Sequence, residues 1–346
     1  MVCVARGLPI SDSPKDLQSN ARLAGVFILA RGLANVFIFA CALALPGCAG
    51  IWPQTAKLAQ GGLPAGIPER VELTEVPFYP QKEYQCGPAA LATALVASGV
   101  KVTPDELVPQ VYLPARKGSL QVEMLAAARR HGLVAYQLAP RFEDLLREIA
   151  AGTPVIVLQN LALGEGWHYA VAVGYDYPEG KLLLRSGETE RQVLSFLAHE
   201  TFWKRSDYWA MVAVPPSRVP ATADEARWLA AIAALERAGG AVAARQAYAA
   251  FLERWPGNVG ASIGLANTLY AAGDLRQAEQ VLRDAAQRDP GSAIVLNNLA
   301  QTLSDQGRDE EALPFIERAA AAGGPHAAAI EDTRRAIQER IAKKRR

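Results

Sequence analysis

The pattern of apolar and polar positions divides the chain, after its first 70 residues, into a mixed part and a helical part. Between residues 86 and 151 apolar side chains recur at helical spacing, and Gly132 and Gly152 end two of the segments. The period then changes to short runs rich in Val, Leu and aromatic residues, separated by turn-forming residues. Helices followed by strands predict an α+β domain with an antiparallel sheet over residues 71–216. The predicted helices cover 86–98, 119–131 and 142–151, with another starting at the capping box 103–106, and the predicted strands cover 154–159, 167–175, 181–185 and 208–214.

The last third of the chain repeats with a period of 34 residues, as glycine and alanine positions show. Glycine is expected in a left-handed turn between two helices, and alanine where paired helices approach closely. The period resembles that of the tetratricopeptide repeat, which implies an all-α solenoid with a surface for a protein partner. We expect three repeats over 225–326, then a capping helix and basic tail over 327–346. The positions in phase are Gly239, Gly273 and Gly307, and Ala244, Ala278 and Ala312.

The first 47 residues have the pattern of an export signal, since an apolar segment at 32–45 follows an arginine and leads to small residues. The ending Gly47-Cys48 resembles the lipobox of bacterial lipoproteins, although Pro46 departs from the usual residue there. This resemblance implies that Cys48 is lipidated and anchors the protein in the cell envelope. In a Gram-negative cell the periplasmic side of the outer membrane is the expected place. An uncleaved transmembrane anchor and simple secretion are the alternatives.

Residues 48–70 are rich in Gly, Pro, Ala and Gln, which predicts a linker after the lipid anchor. Export also changes the meaning of the cysteines. If processing removes Cys3 and Cys41 and lipid occupies Cys48, Cys86 is the one free thiol of the mature protein. A thiol without a disulfide partner in an exported protein is a candidate reactive group.

Composition narrows the range of partners. The chain has 346 residues and a formal charge of +1, which argues against nucleic acid because phosphate binding needs a clustered basic surface. The four histidines are scattered, and no Cys or His pair has the spacing of metal ligands. No glycine-rich loop has the pattern of a phosphate cradle. The sequence therefore predicts neither a metal site nor a cofactor.

Cys86 is predicted at the first turn of a helix, where unpaired amides and the helix dipole favour the thiolate. Its backbone N–H and the side-chain amide of Gln81 can both point at a developing oxyanion. Gly87 is expected to allow a substrate to approach closely. His168 opens a predicted strand and can face a cleft, which supplies the base that thiol catalysis requires. A buried structural cysteine and a structural histidine are the alternative interpretations.

Three motifs in order carry a resemblance to a known family. Gln81, the helix start at 86–89 and the strand at 168–171 resemble the double-glycine leader-processing peptidases of bacteriocin exporters, a branch of the papain-like superfamily. The resemblance covers about 71–216 and implies a papain-like fold and a peptide substrate. It also implies that Cys86 is the nucleophile, His168 the general base and Gln81 the oxyanion donor.

The chain departs from this family at the group that orients the histidine. The family places an Asp followed by Pro on the next strand, whereas this chain has Ser186 and Gly187 there. Ser186 accepts a hydrogen bond less strongly than a carboxylate, and Glu188 or Asn160 are alternative orienting groups. Asp176 is interpreted as a turn residue.

These features predict an exported, membrane-anchored cysteine peptidase that hydrolyses a peptide or small protein. The repeats would dock the substrate or a protein partner. A non-catalytic peptide-binding module with the same fold is one alternative. Acyl transfer to an amine is another, because it uses the same site.

Overall fold

The computed structural model describes residues 52–161 and 166–346. The apolar segment at 32–45 and the predicted lipidation site Cys48 lie outside these residues. Within the described ranges, no helix is both long enough and apolar enough to cross a membrane. From Trp52 onward the chain forms one compact unit.

The described residues contain helices in three groups, which precede, interrupt and follow a set of strands. The helices are α1 Pro53–Gly61, α2 Cys86–Ala97, α3 Pro104–Val111, α4 Gln121–Arg130, α5 Phe142–Ala150, α6 Phe196–Trp203, α7 Glu225–Arg237, α8 Ala241–Arg254, α9 Val259–Ala271, α10 Leu275–Arg288, α11 Ala293–Asp305, α12 Asp309–Ala322 and α13 Ala327–Lys344. The strands are β1 Arg70–Glu72, β2 Tyr112–Leu113, β3 Gly118–Ser119, β4 Val134–Gln137, β5 Val155–Asn160, β6 Trp167–Asp176, β7 Lys181–Ser186, β8 Thr189–Ser195 and β9 Ala210–Val214.

Seven of these strands form one antiparallel sheet, in the order β4-β9-β5-β6-β7-β8, with β1 paired to the end of β6. Strand residues alternate between its faces: Ile156 and Leu158 lie in one apolar core, Val155 and Val157 in the other. Helices α2, α3 and α4 cover the first face, and α1, α5 and α6 the second. The predicted α+β class is confirmed.

Local sequence signals set the helix ends. Thr103 and Glu106 form a reciprocal capping box at the start of α3. Gly132 and Gly152 follow α4 and α5 with φ of 78° and 80°, a conformation that favours glycine because it lacks a Cβ.

The carboxyl-terminal part is an all-α stack, and the predicted repeats are confirmed. Gly239, Gly273 and Gly307 have φ of 90°, 80° and 80° in the turns within the three helix pairs. The alanines in phase with them are fully buried where the paired helices meet. Helix α13 packs on α12 after the last pair, at the position predicted for a capping helix. The phased alanines are Ala244, Ala278 and Ala312.

The first repeat shares a core with the α+β domain. Trp228 on α7 is fully buried and meets the ring of Tyr136 on β4 edge-on, with centroids 5.5 Å apart. The buried Glu148 carboxylate accepts hydrogen bonds from the backbone N–H and hydroxyl of Thr222, at 2.7 and 2.6 Å. The segment between the domains is therefore held to the α+β domain.

The prediction of a linker over 48–70 is wrong for Pro53–Gly61. These residues form α1, whose Leu58 is 3% exposed within the second core. The first amides of α1, at Gln54 and Thr55, donate to the Glu200 carboxylate at 3.0 and 2.7 Å. A distant carboxylate caps this helix, so its sequence carries no local capping signal and its composition resembles that of a linker.

Candidate active site

The loop before α2 presents Cys86 at the start of that helix. The N-cap residue Gln85 makes no side-chain hydrogen bond to the first turn, so the cap leaves those amides to other acceptors. Tyr84 precedes it with φ of 60°, a left-handed conformation that is uncommon for a large side chain. The backbone of Cys86 and Gly87, in the first turn of the helix, acts to lower the pKa of the thiol.

Gln81 is fixed at both its backbone and its side chain. Its N–H donates to the Gly187 carbonyl at 3.1 Å, and its Nε2 donates to the Tyr169 carbonyl at 3.3 Å. A primary amide has two N–H groups, so one donor remains after the bond to Tyr169. Gln81 therefore carries a held side-chain donor close to the strand that bears His168.

His168 is joined to Ser186 by a hydrogen bond of 2.9 Å between Nε2 and Oγ. When Nε2 carries the proton and donates to Ser186, Nδ1 is free to receive a proton from a thiol. Ser186 is one of the three residues predicted to orient the ring. The Glu188 side chain is exposed, while the Asn160 carbonyl accepts from Arg205 at 3.1 Å.

The turn between β7 and β8 connects the histidine and the glutamine. Gly187 lies in the two-residue connection between β7 and β8 and has φ of 60°. It directly follows Ser186, whose hydroxyl is hydrogen-bonded to His168. Arg185, one residue earlier and 6% exposed, donates to the carbonyls of Val76 and Glu190. One short segment therefore holds the imidazole, the Gln81 backbone and the chain leading to Gln81.

Cys86, His168 and Gln81 line one cleft of about 810 Å³. The backbone of Tyr169, the residue after His168, acts to lower the pKa of the Cys86 thiol. Ser186 lies behind the imidazole and is not part of the cleft wall. Three of the four predicted site residues thus meet at the cleft, and the fourth contacts it through His168.

Gly87 has a different neighbour from the one that we expected. A Cβ at this position would come within 2.2 Å of Ser119 Oγ and 2.6 Å of its Cβ. The absent side chain therefore makes room for β3 rather than for a substrate alone. The sequence analysis did not identify Ser119, because a two-residue strand carries no sequence pattern that would predict its contact with a distant helix.

Burial acts against charge on both reacting groups. It raises the pKa of the Cys86 thiol, while hydrogen bonds from the backbone at Tyr169, Gly87 and Cys86 itself act in the opposite direction. Burial lowers the pKa of His168 to about 4. No hydrogen bond between thiol and imidazole is present among the described residues, so at rest both groups are neutral near pH 7. The expectation that the helix start makes Cys86 a thiolate is therefore not met in this state.

The other polar residues considered have structural surroundings. His199 is fully buried, with Nδ1 3.0 Å from Gln159 Nε2, and burial lowers its pKa to about 3. Asp176 accepts a hydrogen bond from the Glu179 N–H in the turn after β6 and pairs with Arg70. In the two described ranges no three His, Cys, Asp or Glu side chains come together as metal ligands.

Comparison with known proteins agrees with this architecture. Residues 73–196 match the model of the Peptidase_C39 like family, and residues 223–285 and 269–331 match that of a tetratricopeptide repeat. The predicted resemblance to double-glycine peptidases, followed by tetratricopeptide repeats, is thereby confirmed. A search among curated proteins finds no match.

Solved structures that resemble the chain are distant in sequence. A protein described as a C39-like peptidase from Bacillus anthracis is 19% identical, with a TM-score of 0.36, over 42% of this chain and 98% of its own. A double-glycine-motif protease from an AMS/PCAT transporter, in complex with the leader peptide, is 21% identical, with a TM-score of 0.33, over 40% and 91%. The protein MamA is 18% identical, with a TM-score of 0.31, over 35% and 68%.

Proposed function

We propose that the protein is a cysteine peptidase that hydrolyses a peptide or small protein in the cleft of Cys86. The observation that carries the proposal is the bond between His168 Nε2 and Ser186 Oγ, at a cleft that Cys86 and Gln81 also line. With Nε2 bonded to Ser186, Nδ1 can act as the proton acceptor. The nucleophile, the general base, the orienting group and the oxyanion donor of a thiol peptidase are then each represented by a residue.

The reaction follows from these positions. His168 Nδ1 takes the thiol proton as the Cys86 sulfur attacks the substrate carbonyl carbon. The carbonyl oxygen becomes an oxyanion, which accepts from the free N–H of Gln81 and the backbone N–H of Cys86. The imidazolium returns the proton to the leaving amine, and an acyl-enzyme remains. Water then attacks the thioester, giving its proton to His168, and the thiol is restored when the acid product leaves.

The neutral resting pair implies that the proton moves only after the substrate is bound. A thiol whose pKa is raised and an imidazole whose pKa is about 4 hold no ion pair at pH 7. The bound substrate, and the oxyanion formed from it, change the surroundings of both groups. The hydrogen bonds of a catalytic pair often shorten once the substrate is bound.

Peptide cleavage tests the proposal directly. The purified protein is incubated with a peptide mixture and the new termini are read by mass spectrometry. Cys86→Ala and His168→Ala should abolish cleavage, and Gln81→Ala should lower it by about 100-fold or more, as for loss of one oxyanion donor. His326→Ala, at an exposed histidine of the repeats, is the matched control and should leave cleavage unchanged. Cleavage that survives Cys86→Ala would refute the assignment.

A non-catalytic peptide-binding module is the second candidate. The neutral pair without a thiol–imidazole hydrogen bond and the serine in place of an acid favour it. Such a module would bind peptides equally with or without Cys86 and release no product. Acyl transfer is separated from hydrolysis by adding an amine, because the product mass then includes the amine in place of water.

We propose further that the repeats dock a protein partner or the substrate, since stacked helix pairs present long surfaces. We also propose export and lipidation at Cys48, which the sequence alone supports. Metabolic labelling with a fatty acid analogue would test it, with Cys48→Ser as the control, and labelling of that variant would refute it.

A further inference from the structure

We propose that the cleft selects substrates that carry an acidic side chain near the scissile bond, recognised by Arg116 and Lys117. The inference rests on the proposed peptidase function and concerns the charge of the cleft rim. Among the described residues, the cleft wall contains three cations, Lys82, Arg116 and Lys117, and one carboxylate, Glu83. Its excess of positive charge contrasts with the nearly neutral chain.

Two of these cations lack a carboxylate partner within the described ranges. Lys82 Nζ lies 2.7 Å from Asp105, so its charge is already balanced. Arg116 and Lys117 form no ion pair with Glu83 or with another described acidic residue. An anion that enters the cleft therefore meets two cations that no carboxylate of the described residues balances.

The backbone holds this pair at the mouth of the cleft. Lys117 ends the tight turn 114–116 with φ of 47°, and its N–H donates to the Pro114 carbonyl at 3.1 Å. Its Nζ lies 5.1 Å from the ring centroid of Tyr84, which also has a left-handed backbone. Two non-glycine residues in this conformation cost on the order of 1 kcal/mol each, and such strain is concentrated at ligand sites. The ring covers one side of the ammonium group and leaves its other donors for a ligand.

The short chain connection between Lys117 and the contact with the helix of Cys86 limits how far from the scissile bond the acidic residue of the substrate can lie. Ser119 lies against Gly87, the residue after Cys86, and Lys117 is two residues before Ser119. Two residues of backbone span at most about 7 Å, which is the length of about two residues of an extended substrate. The long side chains add reach, so we expect the acidic residue within about four positions of the scissile bond.

Binding to the inactive variant Cys86→Ala tests the inference without catalysis. The probes are short fluorescent peptides with one Glu moved along a background of Ala, Ser and Gly, each matched by the peptide with Gln. At the preferred position we expect Glu to bind about tenfold more tightly than Gln, with the difference falling at high salt. Arg116→Gln combined with Lys117→Asn should reduce the preference to below about twofold. Asn is chosen because it tolerates the left-handed backbone.

Lys101→Gln is the matched control, because Lys101 is exposed and absent from the cleft wall; it should leave the preference unchanged. Equal binding of Glu and Gln peptides would overturn the inference, as would a preference that persists in the double variant. Binding to vesicles of anionic lipid that depends on the two cations, without a Glu preference, would also overturn it. If the parent protein cleaves no peptide but the variant prefers Glu, the peptidase proposal fails, and only the preference of the cleft for an acidic peptide stands.

Discussion

The Ser186 Oγ atom lies 2.9 Å from Nε2 of His168, so a hydroxyl rather than a carboxylate contacts the imidazole. A hydroxyl can donate or accept, so it orients the ring without fixing which nitrogen carries the proton. A carboxylate accepts only, and would both hold the proton on Nε2 and stabilise the imidazolium. In the proposed peptidase, Ser186 is therefore the weakest element of the catalytic site.

Ser186→Asp should therefore raise kcat, by about tenfold, because a carboxylate supplies the charge that the hydroxyl lacks. The pKa of His168, followed by NMR, should rise at the same time. Ser186→Ala should lower kcat with little effect on that pKa. A lower kcat in the Asp variant, with the pKa of His168 raised, would show that the resting neutrality of the pair is itself required.

Alkylation of the free enzyme should respond to pH as a buried thiol does. Because burial raises the pKa of Cys86 above its ordinary value near 9, iodoacetamide should react slowly at pH 7. The reaction should become faster as the pH rises through this raised pKa. His168→Ala should leave this profile unchanged, since the two side chains are not hydrogen-bonded at rest. Rapid alkylation at pH 6 that depends on His168 would instead indicate a preformed ion pair.

Gly87→Ala tests the contact with β3. Alanine within a helix normally stabilises it by about 1 kcal/mol relative to glycine. Here the added Cβ would meet Ser119 Oγ, so we expect a loss of 1–3 kcal/mol, roughly, in the free energy of unfolding, and lower activity. Ser119→Gly combined with Gly87→Ala should recover most of the stability. A Gly87→Ala protein as stable as the parent would contradict the close packing.

His199 makes stability depend on pH in a defined direction. Its pKa in the folded protein is about 3, below its ordinary 6.5, so the folded state cannot take up the proton that the unfolded state binds. The stability that it contributes is complete above pH 6.5 and is lost as the pH falls toward 3. Between pH 7 and 5 we expect a loss of about 2 kcal/mol, measured by denaturant unfolding.

The measurement is best made in a His168→Ala background, because the pKa of His168 is depressed in the same direction. His199→Leu should remove most of the remaining dependence. A dependence unchanged by His199→Leu would assign it to other groups.

Trp228→Ala tests whether the first repeat and the α+β domain unfold together. Removal of this buried ring should cost about 3–5 kcal/mol and destabilise the cleft domain, because the ring packs on Tyr136 of its sheet. Trp255→Ala, at a half-buried ring of the same repeat, is the control and should cost less. Separate melting of the cleft domain at its parental temperature in the Trp228 variant would contradict the shared core.

Much of the fold follows from local signals in the sequence. The capping box at Thr103, the glycines that end α4 and α5, and the phased alanines of the repeats each act within a few residues or at a fixed step. They could be predicted because the physical cause is local. The strands β1 and β4 and the helix α1 were missed, since each depends on partners far along the chain. The seven-residue strand β8 was also missed, although it pairs with β7 across a two-residue turn.

The site divides in the same way. Cys86, His168 and Gln81 stand in short motifs and could be predicted together. Ser186 could be named only among alternatives, because its contact depends on the register of β7 against β6. The packing of Ser119 on Gly87 joins a hairpin and a helix, and no spacing encodes it.

If Cys48 is lipidated as proposed, the start of helix α1 limits the length of chain between the lipid and the folded domain. Trp52 already bonds to Thr201, so the folded body begins four residues after Cys48. Four residues span at most about 14 Å. If Cys48 carries lipid, this short connection would keep the α+β domain close to the membrane surface. Its accessible substrates would then be polypeptides that are themselves at that surface, which are present at a high local concentration.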